Sequence, residues 1–341
     1  MRSTAIDHRR ERPNPRARPV ACRFGSRFVL ALLISMVMHG AASAKRITIG
    51  ASQTAILVWI AQERGYFRDQ GIDVEIRQFQ SGLRAADAVI NGHADLSTTS
   101  ETAFVTRSFD RPDLRILATI SASETSRLIA RGDRAIVTAR DLVGKRIGVT
   151  LGSIGEYFLT RYLTLNGVPA AAAKLVDLRP EDIAEQLEKG EVDAGLTWEP
   201  FVRNAELALK DNVVTLPQQF DQIYYFMLVS TQSWMDENPA EARSILRAIV
   251  LAENYAAEHP SEVKLLLRKL FDLSADHVEY LWRLHNLHVS LPQGLLFVLE
   301  QQAEWHIGKK LIGATTVPNY LGFVVADPLR EIRDSSVGIV K

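Results

Sequence analysis

Two stretches about a hundred residues apart are near copies of each other. Gly92-His93-Ala94-Asp95 leads into Thr98, Thr99 and Glu101, and Gly190-Glu191-Val192-Asp193 leads into Thr197 and Glu199. Upstream, Lys45-Arg46-Ile47 opens the first stretch and Lys145-Arg146-Ile147 the second. In both, a glycine stands just past a helical pattern, where the left-handed cap conformation is wanted, and a short strand with a polar tip follows. Such a repeat restricts the chain to one βαβαβ plan used twice. Two similar lobes facing across a crevice make a clamp for a small molecule.

The first unit reads as a strand at 47–50, a helix at 55–64, an alternating strand at 72–79, a helix at 83–90 and a strand at 96–99. The second repeats the order with strands at 146–150, 174–178 and 194–197 and helices at 156–166 and 182–189. Strands alternating with helices of this length imply mostly parallel sheets flanked by helices, an α/β fold. Strand-like runs at 115–120 and 127–131 make the first passage between lobes, and Tyr224 to Ser230 makes the return. From Pro239 the pattern is helical, in pieces at about 239–258, 261–271, 274–287 and 294–310, with Pro239 and Pro260 suited to first-turn positions. The expected division is a leader over 1–44, a first lobe over 45–125, a second over 126–228, and a return to the first with C-terminal helices over 229–341.

The leader stands apart by composition. An Arg-rich stretch runs to Arg27, an apolar run spans Phe28 to Met38, and Ala42-Ser43-Ala44 offers small residues of the kind signal peptidase accepts. The apolar run is well short of the ~20 residues a spanning helix needs. The segment is therefore a secretory signal peptide. It holds 8 of the 40 Lys and Arg and 2 of the 40 Asp and Glu, so the remainder carries 32 basic against 38 acidic residues, a formal charge of −6. That balance argues against nucleic acid as a partner. The one cysteine, Cys22, lies in the same leader, so the rest of the chain has no disulfide, Cys-ligated metal or thiol nucleophile.

In open parallel sheets, ligands sit beyond the carboxyl ends of strands. That rule selects Ser52-Gln53-Thr54, Ser100-Glu101-Thr102, Gly152-Ser153 and Trp198-Glu199. Ser153 and Glu156 fit a Ser-x-x-Glu capping box; in the rival reading, free amides from Gly152 to Gly155 hold an anion at a helix start. Trp198 is either core or a face that stacks on a planar or quaternary group. Glu199 either accepts N–H donors of a ligand or caps the helix after Pro200. Ser123, Glu124 and Thr125 fall at the first passage between lobes, Tyr224 and Tyr225 at the return, and Arg84 and Arg127 are available to an anion. His285 and His288 share a helix face in this reading but lack a third metal ligand, and no nucleophile elbow is present. No catalytic residue, metal or cofactor is expected.

The run Asp141-Leu142-Val143-Gly144-Lys145-Arg146-Ile147-Gly148-Val149, then Gly152-Ser153 with Tyr157-Phe158-Leu159, Gly190 with Val192-Asp193-Ala194, and Trp198-Glu199-Pro200 resemble the substrate-binding proteins of ABC importers for nitrate, sulfonates and taurine. The same superfamily includes binding proteins for the thiamine pyrimidine precursor and a related pyrimidine synthase. The likeness runs from Ile47 to Val317-Pro318-Asn319-Tyr320 and Asp327-Pro328-Leu329. It implies a two-lobed periplasmic binding protein type II fold that closes over a solute and delivers it to an inner-membrane permease. The expected protein is a periplasmic monomer and not an enzyme. Its ligand contacts are expected among Gln53, Thr54, Ser100, Glu101, Glu124, Gly152, Ser153, Glu156, Tyr157, Trp198, Glu199 and Tyr224. The alternatives are a pyrimidine synthase-like enzyme, for which the resemblance implies a cysteine-rich stretch, or a periplasmic ligand sensor. Four glutamates among the candidate loops weigh against a bare anion and toward an amine or a pyrimidine.

Overall fold

Alternating buried residues in Arg46-Ile47-Thr48-Ile49 begin a regular succession of elements in the computed structural model, which describes residues 46–217 and 224–340, all within the compact unit Lys45–Lys341. The expected signal peptide lies outside the described residues. The first unit is β1 (Arg46–Ala51), α1 (Ile56–Glu63), α2 (Tyr66–Asp69), β2 (Asp73–Gln78), α3 (Gly82–Ile90), β3 (Leu96–Ser100), α4 (Glu101–Ser108) and β4 (Leu114–Ser123). The second is β5 (Ser126–Arg131), β6 (Arg146–Val149), α5 (Ile154–Leu165), β7 (Lys174–Asp177), α6 (Ile183–Lys189), β8 (Ala194–Trp198), α7 (Phe201–Leu209) and β9 (Val213–Thr215). The chain then continues through β10 (Tyr224–Thr231), α8 (Gln232–Glu237), α9 (Pro239–Glu258), α10 (Pro260–Phe271), α11 (Ala275–Leu284), β11 (His285–Asn286), α12 (Gln293–Gly308) and α13 (Asp327–Arg333).

Two sheets result, one six-stranded in the order β11-β4-β10-β3-β1-β2 and one five-stranded in the order β7-β6-β8-β5-β9. Three strands of each unit run parallel, and the fourth neighbour, β10 in one sheet and β5 in the other, is antiparallel. Each antiparallel strand is the one that the chain enters on arriving from the other sheet. The registers repeat as well: Ile49 and Gly50 face Leu96 and Ser97, and Ile147 and Gly148 face Ala194 and Gly195.

The twin Gly…Asp motif builds this repeat. Gly92 and Gly190 have φ of 70° and 73°, the left-handed region that glycine enters without a Cβ clash. Asp95 then accepts the Thr48 amide at 2.7 Å, and Asp193 accepts the Arg146 amide at 2.9 Å. In both units the aspartate thus ties the start of the third strand to the start of the first.

Pro239 and Pro260 occupy the expected first-turn positions of α9 and α10. α9 lies along α1 and α13 and buries Ile245, Leu246 and Ile249, closing the six-stranded half. A smaller apolar cluster of Ile129, Ile183, Leu187, Val202 and Leu209 sits under α6 and α7 of the other. Two expectations are corrected. The helix expected over 274–287 stops at Leu284, because His285 and Asn286 extend to pair with Ser123 and Ala122 at the edge of β4. β10 pairs with β4 from Tyr224 and with β3 from Phe226, so the chain is back in the first sheet before residue 228. Among the described residues, no helix is long and apolar enough to cross a membrane.

Candidate functional site

The chain passes from the first sheet to the second through Glu124-Thr125, between the end of β4 and the start of β5. It re-enters the first sheet at Tyr224. The two passages touch, since the Thr125 and Tyr224 hydroxyls share a hydrogen bond in a buried setting. Burial pushes the Tyr224 phenol far above its ordinary value, and the carboxyls of Glu101 and Glu199 add to the shift. Tyr224 therefore stands between the tips of β3 and β8, one from each unit.

On the β3 side, Ser100 caps α4 and Glu101 is fully buried. Its carboxyl accepts the Tyr225 amide at 2.9 Å and the Gln302 side-chain amide at 3.2 Å, and Gln302 in turn accepts the Thr102 hydroxyl at 2.7 Å. Desolvation raises this carboxyl to about 8 despite the donors around it. These contacts make Glu101 a tie between α4, β10 and α12.

On the β8 side the situation differs. Trp198 is half-buried and meets Phe201 edge to face, with centroids 6.3 Å apart. Glu199 is 8% exposed, yet neither of its carboxyl oxygens has a hydrogen-bond partner. The Tyr280 hydroxyl and the Arg203 amide face it without reaching hydrogen-bond geometry, and burial lifts the carboxyl to about 7. The hydroxyls of Ser126 and Thr197 are also buried and unpartnered, but they lie on opposite faces of the sheet, Ser126 paired in register with Trp198 and Thr197 with Arg127. Buried polar groups are almost always satisfied, so an unpartnered buried carboxyl is unusual.

At the start of α5, Gly152 has φ of 73° and Ser153 accepts the Gly155 amide at 3.1 Å. Glu156 reaches past the cap and accepts the Gly152 amide at 2.7 Å, so the expected capping box is displaced by one residue. The other oxygen of Glu156 receives Lys309 Nζ at 2.6 Å. Tyr157 stacks edge to face on Trp305, centroids 5.6 Å apart. Lys309 follows directly on α12, which is bonded to α4 through Gln302 and through His306 to Thr106 (3.3 Å). α12 is thus a strut from the first unit to the α5 start of the second.

The candidate residues fall into groups. Glu101, Tyr224, Trp198 and Glu199 gather around the passages, and Gly152, Ser153, Glu156 and Tyr157 gather at α5. Gln53 is exposed in the turn after β1, while Thr54 bonds the buried Ser52 hydroxyl at 2.7 Å. Glu124 is half-buried and its amide bonds Leu284. Arg127 directs Nη1 to the carbonyls of Glu124 and Ser126. Arg84 lies exposed near the start of α3. The proposed histidine face does not form. His285 sits in β11 with Nδ1 2.6 Å from the Ser123 hydroxyl, and His288 bonds Glu253 at 2.8 Å. No cluster of metal ligands occurs among the described residues. Thr125 was expected at the first passage, whereas Tyr280, Trp305 and Lys309 are not among the candidates; only the helical i, i+4 spacing of Trp305 and Lys309 hints at a shared face.

Comparison with known proteins agrees with this architecture. The chain is 27% identical over 242 residues to a putative aliphatic sulfonates-binding protein of Bacillus subtilis, covering 69% of this chain and 72% of that one. It is 22% identical over 238 residues to the taurine-binding periplasmic protein of Escherichia coli, covering 70% and 68%. The crystal structure of the periplasmic aliphatic sulphonate binding protein SsuA from Escherichia coli superposes with a TM-score of 0.73 at 18% identity, over 83% of this chain and 92% of that one, which establishes the periplasmic binding protein fold. Residues 53–263 match the NMT1/THI5-like family, and the chain belongs to that family.

Proposed function

We propose that the chain is the solute-binding component of an ABC importer, working in the periplasm after export by its Arg-rich leader. It takes a small nitrogen- or sulfur-containing solute between two lobes, one built on the six-stranded sheet and one on the five-stranded sheet, and presents the closed form to an inner-membrane permease. The observation that carries this reading is the buried Glu199 carboxyl, without a hydrogen bond of full geometry on either oxygen, at the point where the chain passes between the sheets and the Glu199 amide bonds Thr125. The relatives that bind sulfonates and taurine support the solute class. Trp198 supplies the flat face, Glu199 the polar anchor, and Glu124, Ser100, Thr54 and Gln53 line the tips.

Thermal-shift screening of sulfonates, amines and pyrimidines tests the reading, because a ligand that binds only the native state stabilises it by about 2.7 kcal/mol at a hundred times its Kd. At least one such compound raises the melting temperature, and the purified protein leaves it chemically unchanged. A sugar that raises the melting temperature where all of these fail sinks the solute class. Turnover of a bound compound makes the protein an enzyme.

A further inference from the structure

Two adjacent strands of the second sheet end in opposite ways. β6 and β8 are adjacent, and a buried glutamate follows each, Glu156 in the first turn of α5 after β6 and Glu199 directly after β8. The carboxylate of Glu156 is satisfied on both oxygens from within the chain, by the Gly152 amide and by Lys309. Its side chain is 6% exposed and Lys309 is 35% exposed, so the pair is largely shielded from water. The Tyr280 hydroxyl and the Arg203 amide face the carboxyl of Glu199, but neither of its oxygens has a hydrogen bond of full geometry.

A helix start favours a negative group through its free amides and partial positive charge. Here the chain already supplies that group. Glu156 does what the head of an anionic ligand would do, joining the amide at the α5 start to a cation brought from α12. A second anion would meet a fixed carboxylate at hydrogen-bond range, with the Gly152 amide and the ammonium already engaged. At Glu199 the opposite holds: a buried carboxyl, faced by the Tyr280 hydroxyl, has no hydrogen bond of full geometry on either oxygen and can accept N–H donors of a ligand. The nearby Arg127, facing Glu199, already gives Nη1 to two backbone carbonyls.

We infer that Glu156 is a specificity-determining residue that keeps an anionic group out of the α5 start, so that the site takes a solute presenting N–H donors to Glu199. The inference rests on the solute-receptor reading and narrows it to one ligand class.

Calorimetric titration of the purified protein with methanesulfonate and sulfate as anions, and with alkylamines and aminopyrimidines as donors, tests it. Two variants are compared with the wild type, Glu156→Ala, which frees both the amide and Lys309, and Glu156→Gln, which preserves the size of the side chain. Circular dichroism establishes that each is folded. The wild type binds a compound of the donor class and neither anion, while one or both variants bind methanesulfonate at least about tenfold more tightly than the wild type does. Methanesulfonate bound as tightly by the wild type as by both folded variants overturns the inference and leaves the receptor reading standing. Wild type and variants that bind none of the probes overturn the inference and count against the receptor reading as well.

Discussion

Burial raises the carboxyls of Glu101 and Glu199, to about 8 and about 7, and makes stability and binding depend on pH in a definite direction. A carboxyl that ionises near 4.5 in the unfolded chain and near 8 when buried binds more protons in the native state between those values. Its contribution to stability is fully present below about pH 4.5 and is lost as pH rises toward 8, at up to about 1.4 kcal/mol per pH unit. Glu101→Gln removes that slope. Urea unfolding at several pH values between 5 and 8 checks it, and a slope identical in wild type and variant refutes the assignment. At Glu199 the same shift, to about 7, bears on binding. A solute that donates N–H groups to this carboxyl binds the ionised form better, so affinity climbs as pH passes upward through about 7, and Glu199→Gln flattens the profile. Affinity that falls over that range instead identifies a ligand that accepts a hydrogen bond from the protonated Glu199 carboxyl rather than donating to its carboxylate.

Among the elements, what came through from sequence was whatever local pattern dictates. The twin glycines, the aspartates that follow them and the strand–helix order are set by backbone conformation and by hydrogen bonds within one unit, and these repeat in both halves. The passages between sheets were readable for the same reason, as apolar strand-like runs that end in polar tips. The pairing of Glu156 with Lys309 was not, because the partners are 153 positions apart and only the tertiary path of α12 brings them together. The capping box at Ser153 hid it further, since Ser-x-x-Glu spacing describes the local helix start correctly while the carboxylate is drawn past the cap. His285 failed for a related reason: a helical period continues through it, but a free edge on β4 takes it into a strand. Two element-scale predictions follow from packing. Lys309→Ala strands a buried carboxylate and destabilises the fold by about 1–3 kcal/mol, the lower end reflecting the partial exposure of the lysine. Gly82→Ala puts a Cβ 2.9 Å from the backbone of Thr99, where α3 starts against β3. With backbone rather than a flexible side chain in the way, that change costs about 1–3 kcal/mol in urea unfolding. A loss below about 0.5 kcal/mol in either variant contradicts the contact it tests.

For the molecule as a whole, the question is what holds the halves together before a solute arrives. Two kinds of connection are present. One is the hinge where the chain leaves the first sheet at Glu124-Thr125 and re-enters it at Tyr224, with the Thr125 and Tyr224 hydroxyls bonded to each other. Away from them, α12 carries Trp305 and leads into Lys309, which reach Tyr157 and Glu156 at the α5 start, so the strut bridges the halves without crossing in sequence. Opening about the hinge must break the strut contacts, and they therefore favour the closed arrangement in the solute-free protein. A receptor that is closed only part of the time binds with an apparent Kd equal to the intrinsic value divided by the closed fraction. The double variant Trp305→Ala/Lys309→Ala consequently has a larger radius of gyration than the wild type when free, returns to the wild-type value when saturated with a bound solute, and binds that solute about 3–10-fold more weakly. Small-angle X-ray scattering with and without solute makes the comparison, and a parallel titration gives the affinity. A free double variant as compact as the wild type shows that the strut does not govern closure, and leaves the hinge at Thr125 and Tyr224 as the element that sets it.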